Sequence, residues 1–141
     1  MSSAVEPARL FTIDQANRML PLVRRIVEDI VQDYARWQEQ VGVLEVVAAG
    51  RRGDSPSDEA EKVEQDTQRL AADIERYVGE LRDLGVDFKG FDEGLVDFPA
   101  ELDGRQVYLC WKLGEDAVAH WHDVDAGFAG RQKVQPSANS Q

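Results

Sequence analysis

The chain has 141 residues, 43% hydrophobic and 30% charged, with a formal net charge of −11. That length suits one domain, able to bury roughly two-thirds of its unfolded surface. The negative balance disfavours nucleic acid as a partner, because phosphate binding needs a positive surface, and the pairs Arg24-Arg25 and Arg51-Arg52 do not reverse it. Residues 82–125 hold eleven Asp/Glu against four Lys/Arg, which serves solubility and would also attract cations or a basic partner. Cys110 is the sole cysteine, so no intrachain disulfide forms and a reducing compartment is expected. No charged-then-apolar leader opens the chain, and no apolar run approaches a membrane span. The expected location is the cytoplasm, with no membrane partner.

From Thr12 the hydrophobic period is helical. Leu20, Val27, Tyr34, Val41 and Ala48 form one seam position, and Ala16, Val23, Ile30, Trp37 and Leu44 the other, as in a helix packed lengthwise on another. Thr12 and Gln15 make a capping box. Pro21 lacks an N–H and clashes with the preceding turn, so a short helical piece from about residue 13 is expected to end in a kink or break at Leu20–Pro21, with the main helix reaching about Ala48. The stretch "AGRRGDSPSD" interrupts it, and Ser55-Pro56 reads as the start of a second helix. That helix carries Ala60, Thr67, Ile74 and Leu81 on one seam position, Val63, Leu70, Tyr77 and Leu84 on the other, and Gly85 as its cap. The pair forms an antiparallel hairpin about 40 Å long. The first helix adds Met19, Ile26, Val31, Val43 and Val47 beside its seam, a wider apolar face than one partner covers. A sheet or a second chain must cover the rest.

After Gly85 the period becomes two. "LVDFPAEL" and "RQVYLCWK" flank Asp103-Gly104, a strong hairpin signal, and "LGED" turns the chain into "AVAHWHD". A three-stranded antiparallel meander is expected over about 95–102, 105–112 and 117–123. Pro99 suits an edge strand, and residues 132–141 read as a disordered tail. The two-residue turn aligns Leu102 with Arg105, Phe98 with Leu109 and Val96 with Trp111. A second turn centred on Gly114-Glu115 would align Leu109 with His120 and Val107 with His122.

In that register His120 and His122 lie on the core face and Cys110 points away from both. A His-x-His pair can bind zinc from one strand face, but the other ligands must come from Asp92, Glu93 or Glu115. Otherwise the imidazoles are hydrogen-bonded at a core edge. No orienting group or oxyanion loop supports a Cys-His nucleophile. Glu115 and Asp116 read as turn residues, and Asp97 as a cross-sheet partner of Lys112. In "DAGFAGRQ" two glycines around Phe128 place Arg131 at a tight bend, to pair with the acidic loops or with a carboxylate or phosphate ligand.

The strings "FTIDQANRMLPLV", "GLVDFPAELDG", "LCWKLGE", "WHD" and "GFAGRQ", in that order, resemble the domain of unknown function 2203 family over about residues 10–133. The resemblance implies a small bacterial or archaeal protein with a helical hairpin and a β-rich end. It transfers no catalytic residue. It directs attention to Asp97, Trp111, Glu115, His122, Gly127 and Arg131, which lie inside those strings.

The expected fold is therefore α+β in a single domain, 1–141: a helical hairpin over 10–85, a β-rich part over 86–131, and a tail. The leading functional expectation is an interaction or adaptor module, a homodimer through the first helix at Ile26, Val43 or Val47, with a possible protein partner and no cofactor. The alternative is a small enzyme or ligand-binding protein with its site at the β end. Its candidate ligand-binding residues are Glu115, His122 and Arg131, with His120 and His122 as ligands of a divalent metal such as zinc. His120 is expected to be the structural histidine, and His122 the one facing the acidic loops and Arg131.

Overall fold

The protein is described by a computed structural model over residues 9–50 and 58–135. Helix α1 spans Ile13–Gly50 and helix α2 Asp58–Asp83. The capping box opens α1 as expected: Thr12 Oγ1 accepts from the Gln15 N–H at 3.1 Å, and Gln15 Oε1 accepts from the Thr12 N–H at 3.0 Å. Of the kink or break expected at Leu20–Pro21, the break is absent: α1 continues through Pro21 as one helix. Ala16 and Leu20 before the proline, and Val23, Ile26, Val27 and Ile30 after it, are all buried. Packing on both sides holds the helix through a residue that disfavours it. The Ser55-Pro56 start of α2 lies outside the described residues, as do Arg51-Arg52. At its other end the Gly85 N–H bonds the Arg82 carbonyl at 2.9 Å and the Val86 N–H reaches back to Leu81 at 3.0 Å. With φ of 89° at Gly85 and Leu81 and Val86 both buried, this is a Schellman cap with its hydrophobic contact.

The two helices form a hairpin whose seam is recognisable from the sequence. Every α2 seam residue is buried or half-buried, and on α1 Ala48 is the seam position left exposed. Burial is graded along α1. Its fully buried residues lie between Ala16 and Ile30, whereas Tyr34, Trp37, Val41 and Leu44 are half-buried. The sheet causes that gradient by covering the first half of the helix. Ile26 is consequently buried within the chain, which corrects the expectation that it faces a partner. No helix of the described residues is long and apolar enough to cross a membrane.

Among the described residues the sheet has five strands rather than three, all antiparallel and in sequential order: β1 (Asp87–Gly90), β2 (Leu95–Leu102), β3 (Arg105–Lys112), β4 (His120–Asp123) and β5 (Gln132–Lys133). β2 and β3 have the expected bounds, and Leu102↔Arg105, Phe98↔Leu109 and Val96↔Trp111 pair as expected. Asp103 and Gly104 both take positive φ, 53° and 79°, as a two-residue hairpin turn with right-handed strand twist requires. β1 and β5 are too short to show an alternating pattern, and β5 places residues expected in the tail within the sheet; 136–141 lie outside the described residues. β2 is not an edge strand. Pro99 is tolerated because β1 ends before it and the Phe11 N–H bonds its carbonyl at 2.7 Å, so its polar side points away from β3.

One sheet face carries Val96, Phe98, Ala100, Val107, Leu109 and Trp111, all buried in a common core with Leu20, Val23, Val27, Ile30, Ile74 and Leu81. Phe11 packs edge-on against Phe98, with ring centroids 5.2 Å apart. Asn17 pins the β3–β4 connection to α1: its Oδ1 accepts from the Val118 N–H at 2.8 Å and its Nδ2 donates to the Val118 carbonyl at 3.0 Å. Arg24 donates to the carbonyls of Glu115 and Asp116 and lies over the Trp111 ring.

Candidate functional site

The connection between β3 and β4 decides which side chains meet. It runs from Leu113 to Ala119 and is fastened along its length, among other bonds by Leu113 N–H to the Gly94 carbonyl, Glu115 N–H to that of Lys112, Val118 to Asn17, and Arg24 to residues 115 and 116. The tight turn centred on Gly114-Glu115 is therefore replaced by a longer excursion. The observed pairs are Val107↔Asp123, Tyr108↔His122, Leu109↔Trp121 and Cys110↔His120. This is one residue away from the expected register, and such a slip moves every side chain of the strand to the other face. Trp121 goes to the core side. His120 and His122 go to the outer side, with Cys110 and Asp97, which reverses the expectation that Cys110 points away from them.

On that outer face Asp97, Cys110 and His122 are 5%, 1% and 3% exposed. The Asp97 carboxylate does not reach for Lys112, which pairs with Leu95; it meets His122 Nε2 at 3.0 Å. His122 Nδ1 lies 2.7 Å from the Asp123 carbonyl oxygen. A carbonyl only accepts, so Nδ1 carries the proton. In a neutral ring Nε2 would then present a lone pair to a carboxylate. The contact at 3.0 Å therefore holds a further proton, either on Nε2 of an imidazolium or on the Asp97 carboxyl. Burial raises the Asp97 carboxyl above its ordinary range, and the His122 hydrogen bond opposes that rise without cancelling it.

Cys110 stands beside this pair. Its Sγ, the Asp97 carboxylate and a His122 ring nitrogen all lie within 4.8 Å of one another. Burial pushes the thiol up to about 11, although the hydrogen bond from Arg131 works the other way. Arg131 Nη1 is 3.8 Å from Sγ and 3.3 Å from Glu115 Oε1, and Nη2 pairs with Glu115 Oε2. Burial works to raise the Glu115 carboxyl, but Arg131 and the Lys112 N–H, 2.9 Å from Oε1, outweigh it and hold it below its ordinary range. Glu115 is thus more than a turn residue. It ties β3 to Arg131, the pairing expected of Arg131 with an acidic loop.

The segment that delivers Arg131 is built for it. Gly127 has φ 72° and ψ −171°, a region that is essentially glycine-only. The chain then makes one 3₁₀ turn, Phe128–Gly130, with the Arg131 N–H on the Phe128 carbonyl. The guanidinium stacks 4.5 Å above the Phe128 ring, and Lys112 Nζ lies 5.7 Å from the same ring.

The candidates named from sequence thus separate. Glu115 and Arg131 join each other. His122 joins Asp97 and Cys110 rather than the acidic loops, so the roles expected within the histidine pair do not hold: His122 is the buried, doubly bonded imidazole, and His120 is half-buried, with Nδ1 lacking a hydrogen-bond partner among the described residues. Asp92 and Glu93 are exposed in the turn between β1 and β2, away from the paired rows that carry the histidines. Asp97, expected to pair with Lys112, bonds His122 instead. Its signal was an acid inside "LVDFPA", where the residues on both sides along the strand are apolar and a buried carboxyl needs a dedicated partner.

No curated protein and no solved structure matches the chain. The model of an uncharacterized conserved protein, DUF2203, matches residues 9–134. That span includes Asp97, Cys110, Glu115, His120, His122 and Arg131, and the chain belongs to the DUF2203 family.

Proposed function

We propose that the protein is a metal-binding protein that holds a divalent ion, zinc foremost, between Asp97, Cys110 and His122. The observation that carries this reading is the convergence of three different donors within 4.8 Å on a buried face. Carboxylate oxygen, thiolate sulfur and imidazole nitrogen are the zinc donors of proteins, at bond lengths of about 2.0–2.3 Å. The surrounding groups suit them. His122 gives its Nδ1–H to a backbone carbonyl, which fixes Nε2 as the free donor, and Arg131 offers an N–H to the sulfur. The ion would take the place of the proton between Asp97 and His122 and of the thiol proton, so its binding is coupled to pH. A thiol held near 11 is a poor nucleophile by itself, which favours a ligand role for Cys110 over a catalytic one. Burial of all three donors favours a structural, closed centre that ties β2, β3 and β4 together. Elemental analysis of the purified protein, with zinc titration of the stripped protein, tests this. Stoichiometric zinc that is lost in Cys110→Ala and His122→Ala is the expected result, and a wild type that neither carries nor takes up zinc overturns it.

A second reading concerns self-association. Val43 and Val46 on the distal part of α1 are 41% and 72% exposed, beyond the part the sheet covers. They support the homodimeric interaction module expected from the width of the apolar face. Monomeric mass by light scattering at high micromolar concentration would exclude it.

A further inference from the structure

The metal reading leaves one nitrogen unexplained. His120 Nδ1 is buried and has no hydrogen-bond partner among the described residues, and such atoms are rare enough in folded proteins to need a cause. His120 sits on β4 directly opposite Cys110, which in turn sits directly opposite Asp97 on β2. These three form one row across the outer face, and His122 stands in the next row.

We propose that His120 is the fourth ligand of the same ion, closing a site of Asp97, Cys110, His120 and His122; this rests on the metal reading above. Structural zinc is almost always four-coordinate. A centre as buried as this one would have to find its fourth donor in the protein. Directly opposed residues of an antiparallel pair stand about 4.5–5.5 Å apart at Cα, so a His120 imidazole reaches an ion bonded to the Cys110 sulfur. His120 is outside the 4.8 Å group, and its ring turns toward the sulfur to join it. Nδ1 gives up no hydrogen bond in that turn. The competing partner is Glu115, which lies within electrostatic reach of His120. Its oxygens are already taken by Arg131 and the Lys112 N–H. The charges also close: one carboxylate, one thiolate and two neutral imidazoles leave a divalent ion with no net charge, which suits burial.

Cobalt(II) provides the test, because a four-coordinate site with a thiolate shows intense visible bands together with a sulfur-to-metal charge-transfer band. Titration of the metal-free wild type with Co²⁺, and competition with Zn²⁺, is expected to give both signals at one ion per chain. His120→Ala and the similarly sized His120→Gln are each expected to weaken binding by more than about 100-fold, beyond the loss usual for a supporting residue. Both are expected to shift the visible bands, and added imidazole should restore the wild-type spectrum in His120→Ala. If both variants bind Co²⁺ within about threefold of wild type with unchanged bands, His120 is not a ligand and the three-donor reading stands. If the wild type gives no charge-transfer band with Co²⁺, both readings fall.

Discussion

His122 Nε2 stands 3.0 Å from the Asp97 carboxylate on the side of the sheet turned away from the helices, and both side chains are almost wholly buried. Nδ1 is committed to the Asp123 carbonyl, so the carboxylate and the ring share one proton whichever of them holds it. Removing one partner should therefore cost far more than neutralising the pair. In the metal-free protein His122→Phe is expected to lose about 3 kcal/mol or more by urea denaturation, because Asp97 is left buried without a donor. Asp97→Asn is expected to stay within about 1 kcal/mol of wild type, since its amide N–H can donate to Nε2 of a neutral ring. If His122→Phe matches the wild type in stability, the shared proton is not there.

Cys110 contributes to the pH dependence of the alkaline stability of the metal-free protein. Burial raises its thiol from an ordinary 9.0 to about 11. Between those values the folded state binds the thiol proton more tightly than the unfolded chain. This contribution is fully present below pH 9 and is lost as pH rises through about 11, a span worth about 2–3 kcal/mol. Other groups also respond to alkaline pH, so the informative quantity is the difference between wild type and Cys110→Ala. The variant should lose less stability between pH 9 and 11 by about that amount. Parallel curves would show that the thiol pKa is not raised by folding.

Gly127 opens the segment that brings Arg131 to the Cys110 sulfur. A Cβ there meets nothing within 4 Å, so Gly127→Ala tests backbone conformation without a clash. At φ 72° and ψ −171° it should cost on the order of 1–3 kcal/mol. The 3₁₀ turn and Arg131 follow directly, so the same change should speed the reaction of Cys110 with a thiol reagent under native conditions. An unchanged thiol reaction rate would mean that the segment after Gly127 does not shield the sulfur.

How much of this was legible in sequence depended on whether the determinants were local. Thr12 with Gln15, Gly85 after α2, and Asp103-Gly104 each act over a few residues, and the elements they bound are where they were expected. The register of β4 was not legible because its connection is fixed from afar. Asn17 and Arg24 reach across roughly ninety to a hundred residues to hold Glu115, Asp116 and Val118, and nothing in "LGEDAVA" announces the extra length they impose. One residue of slip was enough to hide the site. It put Cys110 apparently opposite the histidines' face, and it gave Asp97 to Lys112 when its partner was His122. The strands β1 and β5 were missed for a different reason: four and two residues carry too little alternation to read.

Pro21 is where a local rule lost to packing, and that makes it the most direct test of how α1 is held. Proline in a helix interior costs about 3 kcal/mol, through its missing N–H and the clash of its ring with the carbonyl four residues back, here that of Asn17. Nothing offsets this locally, because the Pro21 side chain is exposed and adds little to the core. The offset comes from Leu20, Val23 and Val27, buried on either side of it against α2 and the sheet. Pro21→Ala restores the N–H and is expected to stabilise the protein. The gain should be about 1–2 kcal/mol, because proline also stiffens the unfolded chain and its loss takes back up to about 1 kcal/mol. Urea denaturation measures the difference at constant m-value. A loss of stability would mean that α1 bends at Pro21 to bring Ala16 and Leu20 onto the sheet, and that the proline is part of the fit.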